Sequence, residues 1–176
     1  MEYEHLQEIT NNYFFVPLAI RSFLPSYASS RKEPNLKFRP GNQRFPSVVM
    51  ETGWSESIPR IRDDINVWLL GGKEFVKAVL IVEWHRIRGS DAIGGNAELY
   101  TLDDTNTSPI LRQEETIFPA PPPGQAQNQE IRLTRSMLFG GISTQGRNPD
   151  DVFTLSLERL RDAARLSLSF MDLTAA

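Results

Sequence analysis

The sequence has no cysteine and only two histidines among its 176 residues. Disulfide bonds, thiolate metal sites and thiol catalysis are therefore excluded, and a zinc site is disfavoured. It also lacks an apolar stretch close to the roughly 18 residues that cross a bilayer, and its acidic first residues, Met1–His5, do not resemble a signal peptide. These absences predict an intracellular protein, cytoplasmic or nuclear, without a membrane partner.

An excess of basic residues is also missing, since 19 Lys and Arg face 22 Asp and Glu and the net charge is −3. Proteins that bind mainly through phosphate contacts are usually basic on at least one face. The charge therefore does not support nucleic acid as the partner, although it leaves room for a local basic cleft. A homodimer or a protein partner is the alternative.

Length and composition predict one domain spanning residues 1–176. The chain is long enough to bury a core without disulfide bonds or a structural metal. Its content of 40% hydrophobic and 23% charged residues is ordinary for a globular protein. Neither a Gly-x-Ser-x-Gly elbow nor a phosphate-binding loop is present.

The middle of the chain reads as strand, helix and strand. Val48–Glu51 is a short apolar run that ends in one carboxylate, and Val76–Trp84 is a second run with little alternation, which is typical of an interior strand. Between them, Ile58–Leu70 carries apolar residues along one helical stripe. Ser57 is the expected N-cap of this helix. The order predicts two parallel strands joined by a helical crossover.

The N-terminal third is expected to contain a short helix over Met1–Ile9, extended chain over Tyr13–Leu24 and a polar loop over Ser26–Glu33. Leu36–Phe38 is expected to be a short strand that ends at a Pro-Gly-Asn turn.

Beyond Gly89 the alternation predicts an antiparallel extension of the sheet. Its expected strands are Asn96–Leu102, Ile110–Phe118 and Glu130–Leu138, with a loop over Pro119–Gln129. A closing helix over Val152–Met171, capped by Asp150 or Asp151, is expected after them. On this helix the residues expected to pack on the sheet are Val152, Leu155, Leu160, Ala163, Ala164 and Phe170, and those expected to face water are Glu158, Arg159, Arg161 and Asp162.

Glu51 is the residue of most chemical interest, because a buried strand that delivers one acid to its end is a common way to place a metal ligand. An ordinary strand whose last side chain reaches water is the alternative interpretation. Ser55 and Ser57 lie where a helix begins and could receive an anion, with simple capping as the alternative. Asp64 is either a functional acid or a solvated charge on the helix.

The order of segments from Lys32 to Trp84 resembles the PD-(D/E)xK restriction-endonuclease-like superfamily, and in particular a set of fungal proteins. The residues that carry the resemblance are Pro34-Asn35, the run Val48-Val49-Met50-Glu51 with Gly53-Trp54-Ser55-Glu56-Ser57, and Asp64, Trp68 and Leu69. The resemblance implies a mixed α/β fold: a restriction-endonuclease-like central sheet flanked by helices, with a C-terminal antiparallel extension and a closing helix.

Members of that superfamily bring two acids and a lysine together on a bent sheet, where the acids hold Mg²⁺ for phosphodiester hydrolysis. On this chain the resemblance places the first acid at Asn35, the second at Glu51 and the lysine at Gly53. Only one of the three groups is present, so Asn35 and Glu51 would form a weak Mg²⁺ site at best. The substitutes it suggests for the basic group and a further acid are Lys37, Arg60, Arg62 and Asp64.

Three functions follow from this comparison. The first is a degenerate nuclease-fold protein that acts as a binding or assembly module. The second is a Mg²⁺-dependent nuclease that uses Glu51 with a migrated basic residue. The third is a pocket recruited for small-molecule chemistry, with Glu51 as acid or base. The missing acid at Asn35 and the missing lysine at Gly53 favour the first.

Overall fold

The computed structural model of the chain describes residues 20, 23–41, 43–122, 124, 129–140 and 146–176. The strands of this part are β1 (Leu36–Phe38), β2 (Val48–Trp54), β3 (Ala78–Arg86), β4 (Ala92–Leu102), β5 (Pro109–Phe118), β6 (Glu130–Thr134), β7 (Val152–Ser156) and β8 (Thr174–Ala175). The helices are α1 (Ile58–Asn66), α2 (Arg135–Phe139) and α3 (Leu157–Ser169), and short 3-10 turns cover Pro25–Tyr27 and Ser55–Ser57.

The main sheet of the described part has the order β1-β2-β3-β4-β5. β2 and β3 are parallel, and α1 lies in the connection between them, as the sequence predicts. The pairs β1–β2, β3–β4 and β4–β5 are antiparallel, which confirms the expected antiparallel extension. The fold is therefore mixed α/β, and β2 is an interior strand.

Two further pairings complete the described sheets. β8 runs parallel to β4 and pairs with Ala92 and Ile93, beyond the point where β5 leaves β4. β6 and β7 form a separate antiparallel sheet that stacks on one face of the main sheet. The expected single sheet is therefore wrong for β6.

The main sheet has one apolar core on each face. On the face covered by α1, Val49, Val79 and Ile81 pack against residues of the helix and its extension, among them Ile65 and Trp68. On the opposite face, buried residues of the main sheet, among them Leu80, Ala97 and Leu99, pack against β6, α2 and α3. The residues that these three elements contribute include Ile131, Leu133, Leu138 and Leu157. Alternation along β2, β3 and β4 supplies both cores at once.

The predicted helix over Ile58–Leu70 forms, but its last turn is not α-helical. The α-helix ends at Asn66 and continues as one π-helical turn over Val67–Gly71. Trp68 and Leu69 are fully buried in this turn, which confirms their predicted place in the core. Single π turns inside α-helices are frequent at functional sites.

The predicted strand over Glu130–Leu138 is wrong in its second half. β6 ends at Thr134, whose hydroxyl accepts a hydrogen bond from the Met137 backbone N–H at 3.2 Å and so caps α2. An N-cap threonine ends a strand at a position where the alternation of the sequence continues.

The predicted helix over Val152–Met171 is also wrong at its start. Val152–Ser156 is strand β7, and the α3 N-cap is Ser156 rather than Asp150 or Asp151. The segment Val-Phe-Thr-Leu is rich in β-branched and aromatic residues, which favour a strand when a partner such as β6 is available. The helical spacing of this segment therefore led to wrong predictions of which side chains are buried. Val152, Leu155, Ala163 and Phe170 are exposed instead of packing on the sheet.

Arg161 is the largest departure from the expected helix faces, because it is fully buried instead of facing water. Its Nε donates to the Ile117 carbonyl at 2.8 Å and its Nη2 to the Thr116 carbonyl at 2.9 Å. Gln129 and Glu158 accept further bonds from the same guanidinium. A buried charge is tolerated when its donors are satisfied in this way, so Arg161 fixes α3 to the end of β5.

The expected helix over Met1–Ile9 and most of the extended segment over Tyr13–Leu24 lie outside the described residues. Ile20 lies inside them and forms an antiparallel bridge with Lys32. In the described ranges, none of the helices has the length and apolar character that spanning a membrane requires.

The burial of Trp68 leads to a first prediction. Trp68→Ala should lower the free energy of unfolding by about 3–5 kcal/mol, because a fully buried indole leaves a large cavity. Trp68→Phe keeps most of the volume but removes the Nε1 donor, and should cost about 1–3 kcal/mol. Urea denaturation of both variants measures the two costs, and equal stability of Trp68→Ala and the native chain would contradict the assigned packing.

Candidate functional site

Glu51 is the fourth of the seven residues of β2, so it lies within the strand and not at its end. The expected strand-end position is therefore wrong, since pairing with β3 continues to Trp54. The Glu51 side chain shares a face of the sheet with its register partner Ile81, and this is the face that α1 covers. Only 8% of Glu51 is exposed.

Both carboxylate oxygens of Glu51 accept hydrogen bonds from N–H groups. The indole Nε1 of Trp68 donates to Oε1 at 2.9 Å, and the backbone N–H of Asn35 approaches Oε2 at 3.4 Å. Burial raises the pKa of Glu51 above its ordinary value, and these two hydrogen bonds oppose the rise. Asp64 adds to the increase in the pKa, and Lys32 reduces it.

Asn35 lies beside Glu51, as the resemblance implies, but its side chain faces the backbone of β2. The Asn35 Oδ1 accepts a hydrogen bond from the Thr52 N–H at 2.9 Å. Asn35 thus holds the start of β1 on β2 through both its side chain and its main chain.

Asp64 forms an ion pair with Lys32, and both side chains are about four-fifths buried. The pair joins α1 to the segment that precedes β1, at the border of the Glu51 pocket. Asp64 is therefore a partner of Lys32 and not a solvated surface charge. Lys32 was not among the residues suggested by the sequence.

Arg62 takes part in a second polar cluster on the same face of the sheet. Its Nη2 donates to Glu98 Oε1 at 3.1 Å, while the hydroxyl of Tyr100 donates to Glu98 Oε2 at 2.7 Å. Burial and the neighbouring Glu98 carboxylate raise the pKa of Tyr100 to about 12. Glu98 and Glu51 are both register partners of Ile81 on this face, so the clusters are separated by one strand. Arg62 therefore neutralises Glu98 and not Glu51.

The remaining candidates lie at the border of the site. Lys37 pairs with Val49, which lies two residues before Glu51 on the same face of β2. Burial, and after it the nearby Arg39, lowers the pKa of the Lys37 amine. Ser57 occupies the N-cap position of α1, as predicted, but its hydroxyl makes no capping hydrogen bond and instead donates to the Trp54 carbonyl at 2.8 Å. Ser55 is an exposed residue of the preceding 3-10 turn.

Gly53 lies close to two side chains of the turn and helix that follow β2. A Cβ at this position would lie 2.4 Å from Ser57 Oγ and 2.5 Å from Ile61 Cδ1. The turn that leads into α1 therefore approaches β2 closely, and a side chain at this position, to which the resemblance assigns the lysine, would have to displace the ends of the Ser57 and Ile61 side chains.

The residues present do not fit a Mg²⁺ ion. A divalent cation of this kind binds oxygen ligands and usually one or two carboxylates, whereas both Glu51 oxygens and the Asn35 Oδ1 already accept from N–H donors. Among the described residues no group of three His, Cys, Asp or Glu side chains could hold a metal. The Glu51 pocket is a closed set of hydrogen bonds.

Besides Lys32, two residues of these polar clusters were not predicted as functional partners: Trp68 in the Glu51 pocket and Glu98 in the neighbouring cluster. Trp68 was assigned to the core from its place in the helical stripe, and nothing in that pattern indicates where its one polar atom points. Glu98 lies between Ala97 and Leu99 in a strand of alternating character. This alternation predicts the face of the sheet on which Glu98 lies, but not its hydrogen-bond partners. Buried indole and carboxylate groups need partners, and this rule was the available signal.

The raised pKa of Glu51 leads to a prediction about pH. A buried acid with a raised pKa contributes most to stability when it is protonated in both states, and folding stability falls as pH rises from the unfolded-state value, near 4.5, through the folded-state value. Glu51→Gln removes this titration, so the difference in unfolding free energy, native minus variant, should decrease over that window. Urea denaturation at several pH values measures it, and a difference independent of pH would contradict the assignment.

The close approach at Gly53 leads to a prediction about packing. Gly53→Ala should cost about 1–3 kcal/mol of stability, because the added methyl group meets two side chains. The double variant Gly53→Ala with Ser57→Ala removes one of these contacts and should recover part of the loss relative to Ser57→Ala alone. Strictly additive costs in thermal or urea denaturation would show that the two positions do not meet.

The chain matches no protein-family model, no curated protein and no solved structure. The resemblance to the restriction-endonuclease-like superfamily therefore rests on the order of residues between Lys32 and Trp84. The structure supports a mixed α/β fold with a mixed sheet and few helices.

Proposed function

We propose that this chain is a catalytically inert domain of the restriction-endonuclease-like type that acts as a binding or assembly module. The observation that carries the proposal is the hydrogen bonding of Glu51, whose two oxygens both accept from N–H groups of Trp68 and Asn35. In such a domain the former metal position is a polar link between α1 and the sheet.

The electrostatics of the pocket support the same role. A metal-binding carboxylate is ionised and open on one side, whereas Glu51 is buried and its pKa is raised by that burial. Lys32 is bound to Asp64 and Arg62 to Glu98, so neither cation faces Glu51 as a phosphate clamp. The net charge of −3 adds that a protein partner fits better than nucleic acid.

The raised pKa also favours one other candidate, in which Glu51 is a general acid or base for a small molecule. That role requires the carboxyl to reach a substrate, and an 8% exposed side chain that is covered by Trp68 offers little access. A steep dependence of any measured turnover on Glu51 in the absence of divalent cations would identify this candidate.

Metal binding and cleavage test the inert-domain proposal. Calorimetric titration with millimolar Mg²⁺ or Mn²⁺ should show no saturable heat at Glu51, so the native chain and Glu51→Gln should give the same trace. Glu114→Gln, an exposed acid on the same face of the sheet, is the matched control for weak surface binding. DNA and RNA incubated with either metal should stay intact.

Cleavage by the native protein that disappears in Glu51→Ala and survives in Glu114→Gln would overturn the proposal. The Mg²⁺-dependent nuclease would then take its place, with Glu51 as the ligand.

A further inference from the structure

A long groove lies on the face of the main sheet opposite to α1. It measures about 1180 Å³ and runs between the main sheet and β7. Phe38, Met50 and Leu80 form its floor, and Leu133, Phe153 and Leu155 line it from the small sheet. The groove is separate from Glu51, which belongs to the other face.

The two edges of the small sheet formed by β6 and β7 differ in their hydrogen bonding. At the outer edge of β6, the side chain of Gln113 replaces a neighbouring strand. Its Nε2 donates to the Arg132 carbonyl at 2.8 Å, and its Oε1 accepts from the Arg132 N–H at 2.9 Å. The amide of one side chain thus satisfies both outward backbone groups of Arg132.

The same bonds fix the direction of the backbone groups of β7. Arg132 is paired with Thr154, and its own N–H and carbonyl point away from β7, so this is a non-hydrogen-bonded pair. The N–H and carbonyl of Thr154 must therefore point to the opposite side, out of the sheet edge. By the same alternation, those of Val152 also point outward, as does the N–H of Ser156.

This outer edge of β7 is open within the part of the chain that the structure describes. No described group hydrogen-bonds the outward N–H of Val152 or Thr154. Val152–Ser156 contains no charge, proline or bulge, which are the devices that usually protect an edge strand from pairing. Val152 and Leu155 are 45% and 43% exposed.

The inner face of the small sheet is also left partly uncovered at β7. Ile131 and Leu155 are register partners and therefore point to the same face. Ile131 is 2% exposed against the main sheet, whereas Leu155 is 43% exposed over the groove. One more strand beside β7 would cover Leu155 and the groove floor together.

The two ends of β7 carry opposite charges. Asp150, exposed, precedes the strand, and Arg159, exposed and lining the groove, follows it in the first turn of α3. Within the described ranges the Arg159 guanidinium takes part in none of the ion pairs. An incoming strand that runs antiparallel to β7 would therefore be favoured by an acid at its N-terminal end.

We propose that the edge of β7 is the docking site for an extended peptide segment of a partner protein, added antiparallel to β7 as an extra strand. Its alternate apolar side chains lie on Phe38, Met50 and Leu155, and an acidic residue at its N-terminal end meets Arg159. This surface gives the binding-module role its partner class and rests on that role.

A peptide fits this edge better than a second copy of the chain. Two copies paired through β7 would form one continuous small sheet with both main sheets on the same side of it. The main sheet extends past β7 as far as β1, because Phe38 lines the groove, so the β1 edges of the two copies would compete for one space.

The test uses a defined probe, the fluorescent peptide acetyl-Glu-Thr-Val-Thr-Val-Thr-Val-amide, in which the glutamate and the valines share one face, and measures anisotropy in the presence of EDTA. Two N-methylated forms carry the methyl groups on alternate amides, one set on the odd and the other on the even positions. Only every second amide of a strand faces its neighbour. One set should therefore weaken binding about tenfold or more, while the other set stays within about twofold. This comparison leaves the protein unchanged.

Variants of the chain test the same edge from the other side. Thr154→Pro removes an outward N–H without removing a bond to β6, and edge strands tolerate proline. It should abolish probe binding, whereas Thr154→Val keeps the N–H and should preserve it. Arg159→Glu should weaken the probe, and a probe with lysine in place of glutamate should recover affinity for that variant.

Equal effects of the two methylated sets, or no binding by the native chain, would overturn the proposal. A native dimer in analytical ultracentrifugation that Thr154→Pro dissociates would assign the edge to a second copy instead. Binding that appears only after removal of residues 1–19 would assign it to the chain itself. Glu51→Gln should leave probe affinity unchanged, because Glu51 lies on the other face of the main sheet. A probe that does not bind would therefore overturn only the docking site, whereas metal-dependent cleavage would overturn the inert-domain role.

Discussion

The hydrogen bond from Trp68 to Glu51 joins the helix to the sheet at a fully buried point, and much of this face depends on it. The carboxylate requires donors because it is buried, and the indole requires an acceptor for the same reason. The π turn at Val67–Gly71 places Trp68 in the core beside Glu51. Gly53 then allows the chain to enter α1 close to β2. Replacement of either member leaves a polar group without its partner, which costs more than the bond contributes.

The sequence predicts those features that depend on local period. The parallel pair β2–β3 and the helix between them follow from two apolar runs and a helical stripe, and the burial of Trp68 and Leu69 follows from the same stripe. The strand at Val152–Ser156 could not be separated from the helix that follows, because its apolar spacing fits both, and the presence of β6 decides between them. Arg161 was predicted to be exposed, because nothing in the local sequence indicates that it donates to carbonyl groups of β5.

The position of the site was predictable from the sequence, but the hydrogen-bond and ion-pair partners of its residues were not. Asn35 and Glu51 come together as the resemblance implies, yet their partners are distant in sequence: Trp68, Thr52 and, through Asp64, Lys32. Partners of that kind are set by the register of strands and the rotation of a helix, which single residues do not encode. The open edge of β7 was invisible for the same reason. Its direction depends on which pairs of β6 and β7 are hydrogen-bonded, and on the side chain of Gln113.

The two buried carboxylates on the α1 face are stabilised by different partners, and the two interactions therefore respond differently to ionic strength. Glu98 faces the guanidinium of Arg62, which is half exposed, whereas Glu51 faces the indole of Trp68 and a backbone N–H. Mobile ions screen the first interaction but have little effect on the second, because a dipole inside the core attracts no counter-ion atmosphere. Added salt should therefore weaken the Arg62–Glu98 ion pair while the hydrogen bond between Trp68 and Glu51 keeps its geometry.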